Sequence, residues 1–151
     1  KMSKKNIIII SLIFFLTSCG FSPIYYNNNN INFSIEKIDY TGDRELNNFL
    51  KINLAKYKNQ KVDNKIFIEA QSNYEKNILS KDSTGKVTSY KLEAKVIFSI
   101  KSNNKKIKIN EEKIIDSMDD KFEEARLEKS VKQSFASSIS SKLLTELTIN
   151  Q

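Results

Sequence analysis

Cys19 is the only cysteine in a chain of 151 residues. It stands at the end of Leu16-Thr17-Ser18-Cys19 and is followed by Gly20-Phe21-Ser22-Pro23-Ile24-Tyr25. A thiol is the one soft nucleophile that forms a stable thioether. In an exported chain a lone Cys is otherwise a free thiol or half of an intermolecular bridge. The chain has no His, which removes the commonest general base and the commonest metal ligand. With Cys19 used elsewhere, neither a thiolate nucleophile nor a zinc site of the usual kind is left. The three Gly residues form no phosphate-binding loop and no dinucleotide fingerprint, and there is no G-x-S-x-G nucleophile elbow. Paired carboxylates are the remaining route to catalysis, at Glu111-Glu112, Asp119-Asp120 and Glu123-Glu124. A plainer role suits them better, because acids before and in the first turn of a helix favour its positive end. The expectation is that the chain is not an enzyme and holds no metal or cofactor. A row of lysines is the other reactive set: Lys81, Lys86, Lys91, Lys95, Lys101, Lys105 and Lys106. Such a row can pair with phosphates or carboxylates, or simply stay solvated.

The segment before Cys19 explains what the thiol is for. Lys1, Lys4 and Lys5 precede an almost unbroken apolar run from Ile7 to Phe15. That run is shorter than the roughly 20 residues needed to span a bilayer, and small residues follow it. Residues 1–18 therefore read as a secretory signal peptide. A Leu, two small residues and a Cys resemble the lipobox of bacterial lipoproteins. The resemblance implies that Cys19 carries a diacylglycerol thioether, that the peptide is cut before it, and that the new amine is acylated. One acyl chain anchors marginally and two or more anchor stably. Gly20 stands where an Asp retains such proteins in the inner membrane of enteric bacteria, so the outer membrane is favoured.

Composition sets broader limits. The chain carries 25 basic and 18 acidic residues. Without residues 1–18 it keeps 133 residues, and losing three Lys leaves a balance of +4. That length supports one domain with a modest core. The small positive excess says little about partners, and export makes nucleic acid an unsuitable one.

Residues 19–30, ending in Asn27 to Asn30, read as a tether, because a run of Asn favours neither helix nor strand. Residues 31–151 read as a single domain. Ile31, Phe33 and Ile35 alternate as in a strand, which continues irregularly through Ile38 and Tyr40. Thr41-Gly42-Asp43 breaks it and can cap a helix. Leu46, Phe49, Leu50, Leu54 and Tyr57 lie on one helical face, ending near Lys58-Asn59. A second strand carries Ile66, Ile68, Ala70, Ser72 and Tyr74, and Ser80 to Lys86 reads as a hairpin loop. The clearest strand points Tyr90, Leu92, Ala94, Val96, Phe98 and Ile100 one way. Its other face carries Lys91, Glu93, Lys95, Ser99 and Lys101, with Ile97 out of pattern, as in a sheet covered on one side. Ile107 and Ile109 open a fourth strand that runs to Ile114-Ile115. A helix from about Asp119 to Leu147 closes the chain, with Ser117 and Asp120 approximating a capping box. Leu127, Val131, Phe135, Ile139 and Leu143 repeat every four residues, and Phe122 is expected in the core with Phe135. The predicted fold is α+β: a two-layer sandwich, a four-stranded mostly antiparallel sheet with two helices on one face, in the order β-α-β-β-β-α.

The lipobox-like Cys19, the following Gly20-Phe21-x-Pro23-Ile24-Tyr25, the element order and Glu123-Glu124-Ala125-Arg126 entering a long helix resemble the alphaproteobacterial form of LptE, the LPS-assembly lipoprotein family. The specific motif spans about seven residues; the likeness in layout spans the whole chain after Ser18. The resemblance implies an outer-membrane lipoprotein on the periplasmic face. It would plug and help assemble a large β-barrel of the LptD type, which delivers lipopolysaccharide to the outer leaflet. Lys81 and Lys86, which flank the hairpin loop, with Lys91 and Lys95 on the solvated strand face, are then the candidates for touching lipopolysaccharide or the barrel. The competing reading is a stand-alone periplasmic lipoprotein with a pocket for a small or lipidic ligand.

Overall fold

The computed structural model describes residues 33–149, all within the unit Ile31–Gln151. The signal peptide, the lipidation of Cys19, the tether and Ile31 lie outside the described residues.

Strand β1, Ser34–Gly42, follows the buried Phe33 and opens with Ser34 and Ile35 buried. Its pairing slips between Ile35 and Lys37, so Glu36 is an extra residue. Ile38 and Tyr40 then take over the inward positions, and this bulge is why the alternation breaks in the sequence. Gly42 ends the strand at φ +94°. A Cβ there would lie 1.8 Å from the Ser72 carbonyl oxygen, so only glycine lets β1 turn this close to its neighbour. Asp43 caps helix α1, Arg44–Leu54, by accepting a hydrogen bond from the Leu46 N–H at 2.7 Å. A 3-10 turn, Ala55–Tyr57, extends α1 and buries Tyr57. The predicted face is the observed one: Leu46, Leu50 and Leu54 are fully buried, and Phe49 packs at its margin.

Strand β2 (Lys65–Lys81), strand β3 (Val87–Ile100) and strand β4 (Lys105–Asp116) follow as a meander. The sheet order is β1-β2-β3-β4. β1 runs parallel to β2 because α1 carries the chain back across the sheet; the other two pairs are antiparallel hairpins. The sheet is therefore mixed, with one parallel and two antiparallel pairs. The loop between β2 and β3 is shorter than expected and covers residues 82–86. Asp82 organises it by accepting from the N–H groups of Thr84 and Lys86 and from the Thr84 hydroxyl.

Helix α2, Lys121–Ile149, packs beside α1 on the same sheet face. Val131, Phe135, Ile139 and Leu143 interleave with Ile68, Leu92, Val96 and Phe98 in one core. Each such side chain contributes about 1.5–3 kcal/mol by leaving water. Two expectations are corrected at the start of α2. Phe122 is not core but 70% exposed, because it sits on the first turn, outside the four-residue stripe. The cap is Asp120 itself, whose carboxylate takes the N–H groups of Phe122 and Glu123. Ser117 instead donates to Glu124 at 3.3 Å. The opposite face of the sheet carries neither helix. Among the described residues β4 pairs only with β3, which leaves its outer edge open.

Candidate functional site

The open sheet face holds most of the lysines singled out by sequence, and it surrounds them with acids. Cross-strand register sets Glu93 opposite Glu112, and Lys91 one inward-outward repeat along β3. Lys91 bridges both carboxylates, at 2.8 Å and 2.9 Å. Its pKa rises chiefly through the bond to Glu93 and then that to Glu112, and Lys91 in turn draws the Glu93 carboxyl below its ordinary range. Lys95 reaches Glu93 at 3.6 Å. Lys101 pairs with Glu69 at 2.9 Å. Lys86, in the hairpin loop, pairs with Asp119 at 2.7 Å, which raises its pKa. Lys105 meets Glu146 of α2. Of the seven, Lys81 and Lys106 have no carboxylate partner among the described residues. Lys81 and Lys86 are brought to the hairpin end, and Lys91 and Lys95 lie along the middle of the open face. The four therefore form no single cluster, and three of them are already matched by acids.

The carboxylate pairs are divided among separate duties. Glu111 points to the helix side, accepting from the Ser138 hydroxyl at 2.7 Å and from Lys142 at 2.6 Å. Glu112 points to the open side and binds Lys91. Glu123 pairs with Arg126. Glu124 is 4% exposed. It accepts from Lys76 and Lys121, both at 2.9 Å, and from the Met118 N–H at 3.0 Å. The Lys121 bond, then the Met118 N–H and Lys76, pull its pKa down to about 2. Burial opposes the charge on Lys76, but Glu124 and Glu128 outweigh it and its pKa is raised. Nearby, Lys132 is 7% exposed, bonded to Glu45 at 2.9 Å, with its ammonium 4.0 Å from the centre of the Tyr74 ring. Burial, and then the Glu128 charge, raise the Tyr74 pKa. These groups tie α2 to β2 and to α1.

Two concavities stand out among the described residues. One, of about 240 Å³ on the open face, includes Asp39, Glu69, Gln71 and Ser99; Asp39 and Glu69 are held there by Lys37 and Lys101. The other, of about 350 Å³, lies where β1 ends beside the start of α1. It is lined by Tyr40, Thr41, Gly42, Arg44, Asn47, Asn48 and Lys51, with no carboxylate among them. Sequence reasoning misses it. Its signal is the spacing Arg44, Asn47, Asn48, Lys51, a polar i, i+3, i+4, i+7 stripe beside the apolar one. Among the described residues no group of His, Cys, Asp and Glu could hold a metal ion. No described helix is long and apolar enough to cross a membrane.

No protein-family model matches the sequence, and no curated protein matches it. Solved structures do. The rare lipoprotein B from Shewanella oneidensis aligns with a TM-score of 0.58 at 15% identity, covering 75% of this chain and 94% of that one. A lipoprotein B from Nitrosomonas europaea aligns with a TM-score of 0.55 at 17% identity, covering 80% and 87%. A minor lipoprotein from Acinetobacter baumannii aligns with a TM-score of 0.52 at 14% identity, covering 76% and 94%. At these identities the likeness is one of fold, and it extends over nearly the full length of two of the three neighbours: the β-α-β-β-β-α sandwich described here is a fold found in bacterial lipoproteins.

Proposed function

We propose that this chain is a lipid-anchored outer-membrane lipoprotein that plugs and helps assemble a β-barrel translocon for lipopolysaccharide. The observation that carries the reading is the coincidence of two independent features. The sandwich is shared with three proteins described as lipoproteins, and Cys19 closes Leu16-Thr17-Ser18-Cys19 after a short apolar run. Lipid on Cys19 would hold the domain at the periplasmic face.

The physics of a plug is consistent with the open face. A barrel lumen presents a polar wall. The open face offers interleaved charges that are largely paired within the domain (Lys37–Asp39, Lys101–Glu69, Lys91–Glu112). Such a surface can lie against a polar wall without leaving a block of like charge buried. The role requires positioning and assembly, with no bond made or broken by this chain.

The test is co-purification. The chain is tagged after Gln151 and outer membranes are extracted in mild detergent. Recovery of one large β-barrel in equal amount supports the plug, and depletion of correctly assembled barrel on deleting the lipoprotein supports its role in assembly. Recovery of the lipoprotein without any barrel overturns the reading.

A further inference from the structure

The two ends of the sandwich differ in charge. β2 separates them: it is seventeen residues long, about 55 Å at 3.3 Å per residue. At one end lie the β2–β3 hairpin and the start of α2. Residues 76–91 and 112–126 there carry seven basic and seven acidic side chains, and five of the basic ones are paired. At the other end lie the start of β1, the loop that follows the 3-10 turn and the β3–β4 turn. Hydrogen bonds bring them together. The Ser34 N–H donates to the Asn64 carbonyl, the Gln60 N–H to the Ser34 hydroxyl and the Lys101 N–H to the Phe67 carbonyl. Residues 56–65 and 101–108 carry eight lysines and a single acid, Asp63. Three of these lysines are paired, with Glu36, Glu69 and Glu146. Lys56, Lys58, Lys61, Lys106 and Lys108 have no carboxylate partner among the described residues, and all but Lys58 are exposed. Eight lysines against these four acids leave +4 at this end, and the hairpin end is neutral. Exposed apolar side chains fringe the lysines: Phe67 on the open face, and Ile149 in the last turn of α2, which the Lys105–Glu146 pair holds at this end.

We infer that this basic end docks on a bilayer surface bearing anionic phospholipid headgroups. The lysines without partners are spread over two loops and the first residues of β4, and they do not converge on one point. A fluid plane of headgroups can bring a charge to each of them, whereas a single small anion cannot. Attraction of this kind adds up lysine by lysine and fades within a Debye length, about 8 Å at physiological salt. It therefore acts on the end that faces the bilayer and not on the hairpin end, about 55 Å further along β2. The chain also enters the domain here. Thirteen residues, 20–32, connect Phe33 to Cys19. A basic patch is the kind of second signal that makes a lipid anchor hold stably. The pairing of patch and anchor rests on the lipid-anchored reading proposed above; the affinity of the patch for a bilayer does not.

The core runs from Phe33 to Leu147, so the chain from residue 19 onward retains the whole fold. The experiment uses that chain with Cys19→Ser, so that no lipid is attached and only the surface can bind. It is floated with vesicles of phosphatidylcholine, with or without one-third phosphatidylglycerol. Binding to the anionic vesicles is expected with a partition constant on the order of 10³ M⁻¹ at low salt, and it should be lost as salt rises to about 0.5 M. Lys61→Gln and Lys106→Gln, both at exposed positions, should each weaken it about fivefold while leaving the unfolding temperature in place. Lys81→Gln and Lys113→Gln, exposed at the hairpin end, should change it less than about twofold. Equal flotation with phosphatidylcholine alone overturns the inference, and so does the absence of flotation with phosphatidylglycerol at low salt. Equal weakening by the hairpin-end substitutions overturns the assignment to this end. Displacement by soluble polyglutamate at matched charge overturns the bilayer in favour of an acidic protein. Because the tested chain carries no lipid, failure here leaves the anchor at Cys19 standing; mass spectrometry of the membrane-extracted chain decides that separately.

Discussion

On the helix side of the sheet, Glu124 is 4% exposed and gathers Lys76, Lys121 and the Met118 N–H. On the open side, Glu69 and Lys101 meet at a similar 2.9 Å, with side chains 58% and 53% exposed. The distances match and the surroundings do not. A buried carboxylate that loses its partners keeps the full penalty of lying away from water. An exposed pair loses only a weak, screened attraction, and solvent replaces it. The helix-side network therefore fixes where α2 docks, whereas the open face keeps its charges available to rearrange against another surface.

The sharpest way to break this contrast is Glu124→Ala. It strips Lys76 and the Met118 N–H of a shared acceptor, and should cost about 2–3 kcal/mol in urea unfolding. A cost below about 0.5 kcal/mol would erase the distinction between the two faces. Acid provides the same test without a deletion. The folded Glu124 titrates at about 2, against an ordinary value of 4.5. Its contribution is complete above pH 4.5 and drains as pH falls towards 2. Glu124→Gln should flatten stability across that window relative to the parent chain. Lys132→Ala should cost about 1–2 kcal/mol, since it removes the Glu45 bond, the contact with the Tyr74 ring and a packed aliphatic stem; Lys132→Met should recover part of this through the stem alone. The smallest effect is expected on the open face. A double-mutant cycle on Lys101 and Glu69 should give a coupling near the limit of detection, shrinking further with added salt. A large, salt-independent coupling there would show that the charges of the open face are held as firmly as those on the helix side.

Sequence periodicity carried much of this architecture. The alternation from Tyr90 to Ile100 is the observed inward row of β3, and the four-residue repeat from Val131 to Leu143 is the observed core stripe of α2. Both signals are local and long, so a single interruption does not hide them. What escaped depends on neighbours distant along the chain. Glu124 reads as a helix-start acid until Lys76, 48 residues earlier, is seen beside it. Glu36 looks like an ordinary strand residue until the register with β2 exposes the bulge. The lysines read as a free basic row because most of the acids that match them, Glu69, Glu112, Asp119 and Glu146, lie far from them along the chain. The polar stripe on α1 is visible as spacing, yet its meaning depends on Tyr40, which only the β1–α1 crossover brings alongside.

Among the described residues the outer edge of β4 is unpaired. Outward-facing N–H and C=O groups along a twelve-residue strand are a template on which another chain can grow, and an edge of this length would invite fibre formation between crowded copies. Seven of those twelve residues are charged: Lys105, Lys106, Lys108, Glu111, Glu112, Lys113 and Asp116. Any strand arriving there must strip water from several of them at once. Geometry offers the template and charge withholds it, so the domain gains its colloidal solubility at the strand where self-association would otherwise begin.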